Sequence, residues 1–128
     1  MTDLYQAVQL FLSGFCPNVY HVMFPFRAET AQYAGRIPGI TFEFANAAVQ
    51  AVHSGSSDCR KVALEISFWG DLAEITAMRE AVGEALNGKV IHLSGFEFAV
   101  TERFAKDVFY PDVDFRRISV RYEGVVIG

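Results

Sequence analysis

The chain is short of the residues that staple small folds or carry catalysis. Its 128 residues include two cysteines, Cys16 and Cys59, one tryptophan and four prolines. Two thiols with no C-x-x-C pair and no histidine at ligand spacing do not close a zinc site, which needs about four ligands, so no metal is expected. Gly35, Gly39, Gly55 and Gly95 are scattered, forming neither G-x-G-x-x-G nor a P-loop, so no nucleotide or other cofactor is expected.

Long apolar runs are missing too. The stretch from Leu4 to Phe26 is interrupted by Ser13-Gly14, Pro17-Asn18 and Pro25, short of the roughly 20 residues a membrane span needs. The start Met-Thr-Asp-Leu-Tyr-Gln has no basic segment ahead of an apolar core, so no secretory signal is expected. A cytoplasmic site of synthesis with reduced thiols follows as the expectation. Lysine and arginine number 11 against 15 acidic residues, a net charge of −4, which argues against gripping nucleic acid through its phosphates.

Hydrophobic residues, by contrast, make up 52% of the chain and include 12 phenylalanines, enough to build a core in one domain over residues 1–128. Leu4, Val8, Phe11 and Leu12 recur at helical spacing, predicting a helix over residues 3–13, capped by Thr2 and stopped at Gly14. Val19 to Met23 reads as a short strand ended by Pro25. Residues 24–39, with Pro25, Gly35, Pro38 and Gly39, read as a long irregular connection, the kind of segment that carries contacts.

From Gly39, Ile40, Phe42 and Phe44 alternate with Thr41, Glu43 and Ala45, a strand that extends toward Val49 and Val52. His53 to Asp58 is turn chemistry, and beyond it Val62, Leu64, Ile66 and Phe68 alternate with Lys61, Ala63, Glu65 and Ser67. These two strands are expected to pair as a hairpin. Asp71 and Glu74 then open a second helix as an Asp variant of the capping box, with Leu72, Ile75, Met78, Val82, Ala85 and Leu86 on its apolar face. Asn87-Gly88 ends it.

Phe96, Phe98 and Val100 mark a fourth strand, and Ile118, Val120 and Tyr122 a fifth, joined by the aromatic and acidic stretch Asp107 to Asp112. The predicted class is α+β, in the order α-β-β-β-α-β-β: a mostly antiparallel five-stranded sheet with two helices on one face.

Chemistry-bearing groups do not converge in this pattern, and no catalytic residue is assigned. His53, Ser54, Ser56, Ser57 and Asp58 are the residue types of a hydrolase triad, but neighbours in one turn do not reach triad geometry. His21 and His92 read as packed or surface side chains. Glu43 and Glu65 on paired strands resemble two acid/base carboxylates, although a polar sheet face explains them as well. Arg116, Arg117 and Arg121 with Arg103 and Lys106 form a local basic cluster, expected to pair with Glu97, Glu102 or Glu123, or with a neighbouring subunit. Phe24, Phe26, Tyr33, Phe104, Phe109 and Tyr110 lie mostly in connections, a surplus typical of interfaces.

The order of elements, with Ile37-Pro38-Gly39-Ile40, the block KVALEISFWGDLAEITAMREAVGEALNG and the closing block FYPDVDFRRISVRYEG, resembles the phage tail terminator family. These tail-completion, or head-to-tail joining, proteins occur in siphophages, prophages and gene transfer agents. The resemblance spans nearly the whole chain and implies a non-enzymatic structural subunit of the virion tail, assembled in the bacterial host cytoplasm. It further implies a homo-oligomeric ring, commonly a hexamer, on the end of the tail tube, with the tail tube protein and a head-completion or connector protein as partners. DNA would pass through without being specifically bound, and an acidic lumen suits that role by repelling phosphates.

The contact surfaces expected on this reading are Phe24, Phe26, Arg27, Tyr33 and Arg36 in the long connection. His53 and Asp58 at the hairpin tip, and Phe109, Tyr110, Asp112, Arg116 and Arg117 around the closing turn, complete the set. Two alternatives stay open at this point. A small-ligand-binding or regulatory α+β domain requires an apolar pocket rimmed by polar groups. A small hydrolase would rest on Glu43, Glu65 and His53.

Overall fold

The strand that carries the alternation from Val62 to Phe68 is an inner one, hydrogen-bonded to other strands on both flanks. In a computed structural model, the described residues are 4–21, 26–27, 32–33, 38–44, 50–54, 57–110 and 115–128. In chain order they form α1 (Leu4–Ser13), β1 (Val19–His21), β2 (Phe26–Arg27), β3 (Gln32–Tyr33), β4 (Gly39–Phe44), β5 (Gln50–Ser54) and β6 (Ser57–Gly70). Then follow α2 (Leu72–Leu86), β7 (Lys89–Leu93), β8 (Phe96–Tyr110) and β9 (Phe115–Ile127). The fold is α+β.

Among the described residues, the main sheet runs β1-β4-β6-β9-β8-β7, with β5 pairing the first part of β6, and β2 and β3 pair separately. This replaces the five-stranded sheet predicted from the sequence. Every neighbouring pair in the main sheet is antiparallel except β1 with β4, which is parallel. The expected pairing is present, but in two strands: Phe44 faces Leu64 across β4 and β6 and Ser54 faces Ser57 across β5 and β6, so His53 and Asp58, predicted as turn residues, are themselves paired strand residues.

Both helices pack on one sheet face. Leu4, Val8 and Leu12 of α1 and Ile75, Val82 and Leu86 of α2 are buried against Phe42, Ile66, Phe68, Phe98, Val120 and Tyr122. Burying each large apolar side chain contributes about 1.5–3 kcal/mol relative to leaving it exposed. The stop of α1 is a turn in which Phe15 N–H donates to Leu12 O at 2.9 Å. Cys16 lies just beyond, buried, its thiol donating to Pro38 O at 3.2 Å and so tying that turn to the start of β4. Burial pushes the Cys16 thiol pKa up.

Three local expectations are corrected. Asp71 takes the extended N-cap conformation of α2 but its side chain makes no cap hydrogen bond. It lies beside Glu74 instead, and the contact between the two carboxyls raises the Glu74 pKa. Leu72, expected on the apolar face, is exposed, since it lies in the first turn before α2 settles on the sheet. The long connection also holds the β2–β3 pair, too short to show any alternation in the sequence.

The largest correction concerns the last third of the chain. Lys89–Leu93 is a strand, joined to β8 by a tight turn at Ser94 (φ 48°) and Gly95 (φ 90°), the left-handed pair of a two-residue hairpin. Beyond Thr101, β8 continues to Tyr110 after a bulge between Glu102 and Phe104, where the sequence predicted an irregular connection from Asp107. A bulge advances the side-chain alternation by one, so the apolar pattern breaks while the strand goes on.

Candidate functional site

The sheet has a second face, away from the helices, and cross-strand register arranges it in rows. One row reads Glu43, Glu65, Arg121, Phe104 across β4, β6, β9 and β8; the next reads Thr41, Ser67, Ser119, Lys106. A third carries Trp69, Arg117 and Val108. Trp69 Nε1 donates to Thr41 Oγ1 at 2.9 Å, and the Ser67 and Ser119 hydroxyls lie 2.8 Å apart. Thr41, Ala63, Ser67 and Ser119 are buried here, so this open face is roofed by its own long side chains.

Arginines form that roof. The Arg117 guanidinium lies 5.3 Å from the Trp69 ring centroid, and that of Arg121 lies 5.9 Å from the Phe104 ring. Arg121 Nε also donates to Glu123 at 2.9 Å, and Arg103 pairs with the same carboxylate at 3.4 Å. Two depressions of about 450 and 240 Å³ flank Arg121. Lys61, Arg103 and Glu123 line the first, and Glu65, Lys106 and Arg117 the second.

Glu43 and Glu65 are direct partners, as the sequence suggested. Like charges so placed repel, and Arg121, opposite Glu65 on the other side, offsets the repulsion. The pair is thus part of a charge row. Among the described residues, no group of three or more His, Cys, Asp and Glu side chains gathers as a metal ion requires. His21 packs its ring at 4.5 Å from Tyr5 and 5.0 Å from Phe42, and His92 faces Glu97 on β8.

The basic cluster divides between the two faces. Arg116 pairs with Asp107 at 3.2 Å and stacks 5.1 Å from the Phe109 ring on the helix side, whereas Arg117 faces the open side. Glu102, expected to meet one of these cations, instead pairs with Arg79 of α2 at 3.2 Å. Phe104 and Phe109 are exposed, at 56% and 49%.

The expected contact residues fall into three groups. Phe109, Tyr110, Arg116 and Arg117 lie together at the far end of β8 and β9. His53 faces Asp58 at the opposite end of β6, roughly 40 Å away at the usual strand rise. Phe26 faces Tyr33 in the β2–β3 pair, with Arg27 facing Gln32. Phe24, Arg36 and Asp112 lie outside the described residues. Sequence reasoning missed Lys61, Trp69 and Ser119 of the open face. The register that joins them comes from strands distant in the chain.

The chain matches no protein-family model and no curated protein sequence. In fold it is similar to a chain in the virion of a native gene transfer agent (GTA) particle. The TM-score is 0.58 at 22% identity, covering 97% of this chain and 91% of that one. The likeness shows a common fold over nearly the full length of both chains. No helix among the described residues is long and apolar enough to cross a membrane.

Proposed function

We propose that this chain is a structural, non-enzymatic subunit of a phage-like tail, a tail terminator that assembles into a ring on the end of the tail tube. The ring, a hexamer by resemblance to the family, stops tube growth and presents the surface that the head-completion or connector protein joins. DNA passes through it without specific binding. The subunit is made in the bacterial host cytoplasm and ends in the virion tail.

The observation that carries this reading is the near full-length likeness in fold to a chain of a GTA virion. The layout of the surface adds to it. Candidate contacts sit at opposite ends of β6, and a ring needs two different patches on each subunit rather than one self-complementary patch. From Glu102 to Tyr110, β8 borders the sheet with exposed Phe104 and Phe109, and an exposed strand edge is a ready surface for another chain.

The test is to polymerise tail-tube protein with and without this chain. Tubes that stop growing when it is added, carrying it at one end in stoichiometric amount, are expected. Tubes of unchanged length with no bound chain would contradict the proposal.

A further inference from the structure

The depressions of the open face are lined by Lys61, Arg103, Lys106, Arg117 and Arg121 against only Glu65 and Glu123. On a chain of net charge −4, that is a local excess of positive charge, with Glu43 beside Glu65 on the same face. A row of acid lies on the other side of the molecule. Ile75, Val82 and Leu86 hold α2 on the sheet, so the opposite stripe of the helix faces outward. It carries exposed Glu80 and Glu84 alongside exposed Ala73, Ala77 and Ala81, with exposed Asp71 and Glu74 at its start.

We propose that the cationic open face of one copy receives the acidic outer stripe of α2 from the next copy. The inference rests on the ring reading and names the contact that builds the ring. Charges of opposite sign meet, and the alanines let the helix lie close to the sheet. Because the two surfaces lie on opposite sides of one sheet, they cannot satisfy each other in a two-fold pair. The contact is head-to-tail, and with each copy turned relative to the last it repeats around the ring rather than along an open stack.

A nucleic-acid backbone fits this face less well. Glu65 and Glu123 stand inside the cationic lining, where they repel phosphates, and Glu123 already holds Arg103 and Arg121. The spaced carboxylates of the α2 stripe, unlike a continuous run of phosphates, leave room for both.

Charge exchange tests the contact. Lys61→Glu with Lys106→Glu makes one variant and Glu80→Lys with Glu84→Lys another; all four side chains are exposed, so folding should persist, as circular dichroism can verify. Assembly is followed by sedimentation velocity with tail-tube ends present. Each variant alone is expected to assemble at least tenfold more weakly than wild type, and rising salt is expected to weaken wild type. Mixing the two variants is expected to restore assembly, because each altered face then meets its complement.

Wild-type assembly that neither variant impairs, or impairment that mixing fails to rescue, would overturn the contact while leaving the ring in place. Loss of binding to duplex DNA in the first variant, with unaltered assembly, would reassign the face to nucleic acid and overturn it as well. A wild-type chain that stays monomeric with tube ends present would remove the ring itself, and the contact with it.

Discussion

Ser67 Oγ and Ser119 Oγ meet at 2.8 Å across β6 and β9, buried on the sheet face that carries no helix. Removing one hydroxyl strands the other away from water. Ser67→Ala or Ser119→Ala alone is expected to cost about 1 kcal/mol. The double variant should cost less than the two single values added together, because no orphaned hydroxyl remains. Urea denaturation of the four proteins measures this coupling, and strict additivity would count against the bond.

Gly124 sits where β9 and β8 approach too closely for a side chain. A Cβ there would meet Val100 Cα at 2.7 Å and crowd the Ala99 carbonyl, both backbone atoms that cannot rotate aside. Gly124→Ala is expected to destabilise by about 1–3 kcal/mol. Gly83 in α2 is the contrast, since its nearest neighbour is the Tyr122 hydroxyl at 3.8 Å. Gly83→Ala should therefore stabilise by about 0.5–1 kcal/mol. Thermal melts of both variants give the two signs directly.

Tyr122 is fully buried beneath α2, with no hydrogen bond to its hydroxyl among the described residues. Burial, reinforced by the Glu102 carboxylate, pushes its pKa up to about 12 from an ordinary value of 10.0. Below pH 10 the phenol is neutral in both folded and unfolded chains, and its contribution is fully present. As pH rises from about 10 to about 12, the unfolded chain ionises first and stability falls. Tyr122→Phe should flatten that alkaline loss, as urea midpoints across this window would reveal.

Phe104 and Phe109 stand exposed with Arg121 and Arg116 over their rings. Alanine at both positions is expected to change monomer stability by no more than about 1 kcal/mol per site, the scale of an exposed cation–π contact. Capture by tail-tube ends should fall much further. A pull-down on assembled tubes, set beside a melting curve, separates the two effects. A fall in stability with unchanged capture would point to a structural role.

The core was legible in the sequence, and much of the surface was not. Strict alternation placed Val62, Leu64, Ile66 and Phe68 inward, and helical spacing did the same for Val8, Leu12, Ile75 and Val82, because one buried face imposes its period on the chain. Where both faces meet solvent, as from Arg103 to Asp107 on β8, no such period exists, and the last stretch of the strand, from Asp107 to Tyr110, read as a connection. The Ser94-Gly95 dipeptide between Leu93 and Phe96 was a readable signal for β7 that periodicity alone did not use. The open face could not be assembled from spacing, because Thr41, Ser67, Ser119 and Lys106 become neighbours only through strand register.

Electron microscopy of tail-tube ends after addition of the purified chain tests the central claim most directly. A closed ring of copies of this chain, seated on one end of each tube and blocking further subunit addition, is the predicted result. Tube ends that stay bare and continue to grow in the presence of excess chain would contradict it.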